Sequence, residues 1–126
     1  MIGFLCNVLL PYYDKSMKKM SYKNRPALVI GKADGEDYNI LPVSRVTNRL
    51  YLDAVYDVPV DPKIYPNSKL TAYSYIRVHK QTAANKSRMR IISNFKEEYP
   101  DLFLAVLQKL EEYNKNLIDD ALAAVV

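Results

Sequence analysis

Arg25-Pro-Ala-Leu-Val-Ile-Gly-Lys-Ala-Asp-Gly-Glu-Asp-Tyr-Asn-Ile-Leu-Pro-Val43 reads as two strands and the turn that joins them. Arg25 to Ile30 is a short apolar run of strand length. Pro26 has no amide hydrogen, so that strand begins at an edge or near its first residue. Asp34-Gly35 lies within Lys32–Glu36, between two apolar runs, which is a hairpin signal. Tyr38 to Val43 is then the returning strand.

Upstream, Ile2, Phe4, Cys6 and Val8 alternate with Gly3, Leu5, Asn7 and Leu9. Period two predicts a strand, here with two fairly apolar faces. Met1 to Pro11 has no basic lead-in and no small-residue cleavage site, so it reads as that strand and not as a signal peptide. Tyr12 to Lys23 breaks the alternation and reads as a long, basic first loop. Downstream, Val46 to Arg49 reads as a turn with Asn48, and Leu50 to Val58 as a fourth strand. Pro59, Pro62 and Pro66 punctuate a loop. Thr71 to Lys80 reads as a fifth strand and Arg88 to Ile92 as a short sixth. Then the period changes. Phe103, Val106, Leu107, Leu110 and Leu117 recur at helical spacing, which predicts an amphipathic helix from about Pro100 to Leu117. Pro100 suits the first helical position and Asp101 the positive end of the dipole.

Five or six short strands, a C-terminal helix and no βαβ pattern predict a mainly β fold, a small barrel. The 126 residues show no repeat and no Pro-, Gly- or Ser-rich linker, so residues 1–126 read as one domain. No apolar run reaches the roughly 18 residues of a membrane span. The one cysteine, Cys6, cannot form an internal disulfide, and its apolar setting reads as a buried small hydrophobe. Nothing here points to secretion, and a cytoplasmic chain is expected. One Cys and one His, His79, cannot build a zinc site of the usual kind. No carboxylate cluster has calcium-loop or paired-acid spacing, and three glycines make no phosphate loop. No metal and no cofactor are expected.

The net charge is +4, and its distribution says more. Residues 1–32 carry six Lys/Arg and only Asp14; residues 73–96 carry six and no acid; residues 97–126 carry seven acids and two bases. A fold that joins the two basic segments presents a positive surface suited to a polyanion. The other reading is an ordinary solvated, lysine-rich surface.

On the fifth strand Tyr73, Tyr75, Arg77 and His79 share one face, and Ala72, Ser74, Ile76 and Val78 the other, core face. Tyr rings stack bases, and Arg holds phosphate bidentately. His79, between Arg77 and Lys80 in an acid-free segment, is a candidate acid or base; more often a lone histidine is structural. Arg25 enters a strand from the basic loop and Ser44 ends one, and neither stands out by pattern alone.

Lys23-Asn-Arg-Pro-Ala-Leu-Val-Ile30, Leu41-Pro-Val-Ser44 and Tyr75-Ile-Arg-Val-His-Lys80, in this order and spacing across roughly residues 2–92, resemble the PemK/MazF toxin family. The first segment, a basic loop leading into Arg-Pro and an apolar strand, is the most specific. The resemblance implies an SH3-like (PemK/CcdB-like) barrel that forms a homodimer. It implies a sequence-specific, metal-independent endoribonuclease that cuts single-stranded RNA such as mRNA. Its partner would be a cognate antitoxin whose acidic or apolar tail blocks the RNA groove.

The family's catalytic pair falls on Arg25 and Ser44. His79 stands where other members carry different polar residues; it is either the base that the first loop lacks or has no part. RNA contacts are expected from Lys15, Lys18, Lys19 and Lys23 in the first loop, and from Asn24, Thr47, Tyr75, Arg77, Lys80 and Gln81. The Lys/Met-rich loop Lys15-Ser-Met-Lys-Lys-Met20 departs from the family, which often has Gly and an acidic residue there. Three rivals share the barrel: a nucleic-acid binder that does not cut, a gyrase-poisoning toxin that acts through a protein partner, and an inactive family member kept for binding its partner. The apolar Ala121-Leu-Ala-Ala-Val-Val126 end keeps the second alive.

Overall fold

The computed structural model describes residues 1–126 as a curled antiparallel sheet, a half-barrel, with a C-terminal helix. The strands are β1 (Leu5–Asp14), β2 (Lys19–Lys32), β3 (Asp37–Ser44), β4 (Asp57–Val60), β5 (Ser74–Arg77), β6 (Thr82–Asn85) and β7 (Met89–Ser93). Their order is β4-β5-β3-β2-β1-β7, with β6 also paired to β3. A one-turn α1 (Phe95–Glu98) precedes α2 (Pro100–Ala123). There are thus seven strands, against the five or six read from the sequence. No helix is long and apolar enough to cross a membrane.

The β2–β3 hairpin is as expected. Gly35 takes a positive φ of 59° at the turn, where L side chains are strained. The first loop is not a loop. β1 runs to Asp14 and β2 starts at Lys19, so Leu9–Asp14 and Lys19–Asn24 form a two-stranded ribbon. The β1–β7 ladder stops at Val8 and the β2–β3 ladder at Ala27, so the ribbon has no third strand. At its tip the Asp14 carboxylate accepts from the Ser16 hydroxyl (2.7 Å) and from the Ser16 and Met17 amides. The Ser16 hydroxyl first, then the Met17 amide, hold its carboxyl below the usual range.

Pro26 does not begin its strand; it lies seven residues in. On the β3 side, however, its neighbour Ala27 is the last residue paired. In an antiparallel ladder alternate pairs exchange both backbone bonds. Either Ala27↔Pro42 is such a pair or the next, Pro26 with Val43, would be. In both cases a proline stands where a donor is needed, so the ladder opens here.

The middle strands are buried on both faces. Leu5, Leu28, Leu41, Val43, Ile76 and Val78 join Phe95 and Val106 in one core. Cys6, Val8, Ala27, Val29, Ile40 and Ala84 make a second on the opposite face. Each large side chain fully buried contributes about 1.5–3 kcal/mol. Cys6 is buried as expected, and burial pushes its thiol pKa up. α2 lays Leu102, Phe103, Leu110 and Tyr113 on the first core. It runs six residues past Leu117, because Ile118 to Ala123 contains neither Gly nor Pro. That extension leaves Leu117, Ile118 and Leu122 exposed.

Leu50 to Val58 is not one strand. Asn48 accepts from the Leu50 amide and starts a 3-10 turn, Arg49–Tyr51, that leaves Leu50 89% exposed. The Asp53 carboxylate then accepts from the Val55 and Tyr56 amides, both at 2.9 Å. Such side-chain bonds compete with a ladder for the same amides. Only Asp57–Val60 remains strand. The fifth strand is likewise shorter, passing into a 3-10 turn at Val78–Lys80. Its alternation holds: Ser74, Ile76 and Val78 are buried.

Candidate functional site

Extending the β2–β3 register past Ala27↔Pro42 puts Arg25 opposite Ser44. The strands have parted by then, so the two side chains flank a gap instead of a rung. Two hollows meet at this gap, and Arg25 and Ser44 are the only residues lining both. Both side chains are half-buried. Arg25 belongs to none of the chain's ion pairs, and neither it nor the Ser44 hydroxyl is engaged in a side-chain hydrogen bond.

The first hollow has a volume of about 530 Å³. Its cations are Lys23, Arg25, Arg45 and Lys69. Asn7, Asn24, Thr47, Thr71 and Ser74 add neutral polar groups, and Pro26, Val43, Leu70 and Ile92 an apolar floor. No carboxylate or imidazole lines it. The second hollow, about 370 Å³, adds Arg77, Lys80 and Thr82 to Arg25 and Ser44, again without an acid. Low-dielectric walls carrying one sign of charge focus the field and attract anions.

Of the expected contacts, Lys23, Asn24 and Thr47 therefore share the first hollow with the Arg25–Ser44 pair, and Arg77 and Lys80 the second. Tyr75 lines neither, but it is paired directly with Ser44 across the β3–β5 ladder and packs edge-on against Tyr73, centroids 5.4 Å apart. Lys15, Lys18 and Lys19 sit at the ribbon tip, outside both hollows. Gln81 and His79 share a different depression, against Tyr113 and Leu117 of α2.

Arg77 is not free. Its Nε donates to Asp57 Oδ1 at 3.0 Å, and one terminal nitrogen donates to Asp57 Oδ2 at 3.3 Å and to the Tyr51 carbonyl at 2.8 Å. The Asp57 side chain is 0% exposed. Its Oδ2 also accepts from the Asp53 amide at 2.8 Å. His79 Nδ1 lies 3.8 Å from Asp57 Oδ1 and is buried without a hydrogen-bond partner. The histidine thus belongs to this buried cluster and to two shallow depressions that contain neither Arg25 nor Ser44. The backbone amides of Tyr56 and Val55, followed by the charges of His79 and Arg77, hold the Asp53 carboxyl below its ordinary pKa.

The sequence reading missed Arg45, Lys69 and Asn7. Arg45 directly follows Ser44 and was open to the same argument. Lys69 reaches the hollow because it takes a left-handed conformation (φ 61°) at the end of the 3-10 turn Pro66–Ser68, which no local motif announces. Asn7 reads as one strand residue among many until the register is known. Compared with known proteins, the chain matches no family model and no curated sequence.

Proposed function

We propose that the chain is a metal-independent endoribonuclease for single-stranded RNA, of the PemK/MazF kind, on an SH3-like barrel. The observation that carries this reading is the unpaired Arg25–Ser44 pair at the junction of two hollows lined by cations and no acid. In the reaction the 2′-oxygen attacks the adjacent phosphorus, the bond to the 5′-oxygen breaks, and a 2′,3′-cyclic phosphate and a 5′-hydroxyl remain. Charge builds on the non-bridging oxygens. The Arg25 guanidinium neutralises it and the Ser44 hydroxyl donates to one of them. The leaving oxygen takes its proton from Arg25, which solvent restores; the attacking hydroxyl gives its proton to water. A divalent ion favours anionic oxygen ligands, and the lining supplies none. A homodimer and an antitoxin with an acidic or apolar tail over the hollows belong to the same proposal.

A second reading is binding without cutting. It is favoured by the distance of His79 from the pair, which leaves no imidazole or carboxylate beside the phosphate. One experiment separates the two. Purified protein is incubated with a long single-stranded RNA in EDTA, and primer extension maps any ends. Discrete cuts, slowed about 100-fold or more by Arg25→Ala, are expected. Intact RNA at high protein excess ends the nuclease reading. Undiminished cutting by the variant removes Arg25 from the chemistry.

A further inference from the structure

Two elements of opposite charge each keep an apolar face uncovered. The first is the β1–β2 ribbon. Leu9, Pro11 and Tyr13 stand opposite Asn24, Tyr22 and Met20, so all six share one face of the pair. Tyr13 is 56% exposed, Met20 60% and Tyr22 52%. The Arg88 guanidinium lies 5.0 Å over the Tyr22 ring, and Lys15 and Lys18 stand in the turn at the tip. Residues 9–24 hold four lysines against one aspartate.

The second is the end of α2. At about 100° per residue, the stripe that covers the core through Phe103 and Leu110 continues as Leu117, Ile118, Ala121, Leu122 and Val125. Past the core it covers nothing: Ile118 is 57% exposed and Leu122 62%. Asp119 and Asp120 flank it, one on each side. Residues 111–126 hold four acids against one lysine. No basic residue lies in the last turn, so both aspartates stand against the negative end of the helix dipole. Lys115 pairs with Asp119 at 2.9 Å, and Asp120 has no ion pair.

The two faces match in length as well as in sign. Leu117 to Val125 spans about 12 Å at a helical rise, and Leu9 to Tyr13 about 14 Å at a strand rise. Their exposure shows that they do not meet within one chain. Each continues an element packed in the core, so they can meet only between chains. We infer that the end of α2 from a second copy docks on this ribbon face. Its stripe covers Tyr13, Met20 and Tyr22, and its aspartates lie among Lys15, Lys18 and Arg88. The contact joins two different patches, so it closes as a reciprocal pair or runs on into a ring or chain. Asn24, on the same ribbon face, also lines the first hollow. A docked helix end therefore stands at the rim of that hollow and competes with a polyanion there. The docking stands without the RNA reading; only the competition rests on it.

Sedimentation equilibrium of the full chain, in a dilution series at low and at high salt, reads the association. Mass is expected to rise with concentration, and less steeply in high salt. Asp119→Lys with Asp120→Lys, and separately Lys15→Glu with Arg88→Glu, are each expected to weaken association about tenfold or more, because like charges then face each other. All four positions are exposed, so both variants fold. Mixed together, the two variants are complementary at both contacts and are expected to associate as tightly as wild type. A wild type of constant mass overturns the inference. So does an association that either variant leaves unchanged, which places the contact elsewhere, and so does a mixture that stays apart. An excess of a 2′-O-methyl RNA oligonucleotide is expected to disperse the assembly. An assembly that keeps its mass with the oligonucleotide bound overturns the competition alone. An oligonucleotide that does not bind overturns the RNA reading and leaves the docking standing.

Discussion

Arg77 and Asp57 face each other across the β4–β5 ladder, and the buried carboxylate holds the guanidinium through both oxygens. This pairing turns a residue expected to grip phosphate into a brace between two short strands. Removing one member of a buried pair leaves the other charge without compensation. Asp57→Ala is expected to cost roughly 3 kcal/mol, the low end for such a loss because the Arg77 side chain is still 19% exposed. Asp57→Asn, which keeps an acceptor, should cost less. Urea unfolding measures both, and an unchanged midpoint for the alanine variant means that the pair contributes nothing to the fold.

The neighbouring Asp53 makes stability depend on acid. Its folded pKa is lowered, chiefly by the Tyr56 and Val55 amides. A lowered carboxylate contributes fully above its unfolded value, near 4, and loses that contribution as pH falls through the folded value. The wild type should therefore lose stability below about pH 4 faster than Asp53→Asn, and the gap between their melting temperatures should narrow. A gap that stays constant from neutral pH into acid contradicts the assignment.

Arg45 escaped the sequence reading, and its place in the first hollow predicts a phosphate contact. Each phosphate neutralised on a single strand contributes about −0.7 to the slope of log K against log salt. Arg45→Ala should flatten that slope by about 0.7 on RNA of any sequence. A loss of affinity that is independent of salt points to a packing role instead.

Lys69 holds a left-handed backbone conformation that glycine adopts without strain. Lys69→Gly should raise stability modestly, by about 0.5 kcal/mol after the added freedom of the unfolded chain is subtracted, while weakening RNA binding. Denaturant midpoints and anisotropy on one preparation read both effects. A variant that is less stable and binds as well as wild type reverses both expectations.

Much of the architecture was legible because local chemistry and tertiary packing agree there. The alternation around Cys6 and Val8, the Asp34-Gly35 turn and the helix from Pro100 all appear where the sequence puts them. The Tyr12–Lys23 ribbon was hidden because a two-stranded ribbon wet on both sides needs no apolar alternation. Leu50–Val58 misled because Asn48 and Asp53 spend their side chains on nearby amides, which composition does not reveal. Arg25 and Ser44 were singled out by resemblance, and the β2–β3 register, extended past its last rung, sets them opposite each other. The Asp57–Arg77 bond was beyond reach: twenty residues separate the partners, and only the β4–β5 pairing shows that they are opposite.

Pro26 gives the molecule a mouth that cannot zip itself shut. A visiting strand meets an opening whose lips are already spread, and no backbone bond has to break to admit it. Entry should accordingly be ungated, with arrival set by diffusion and charge.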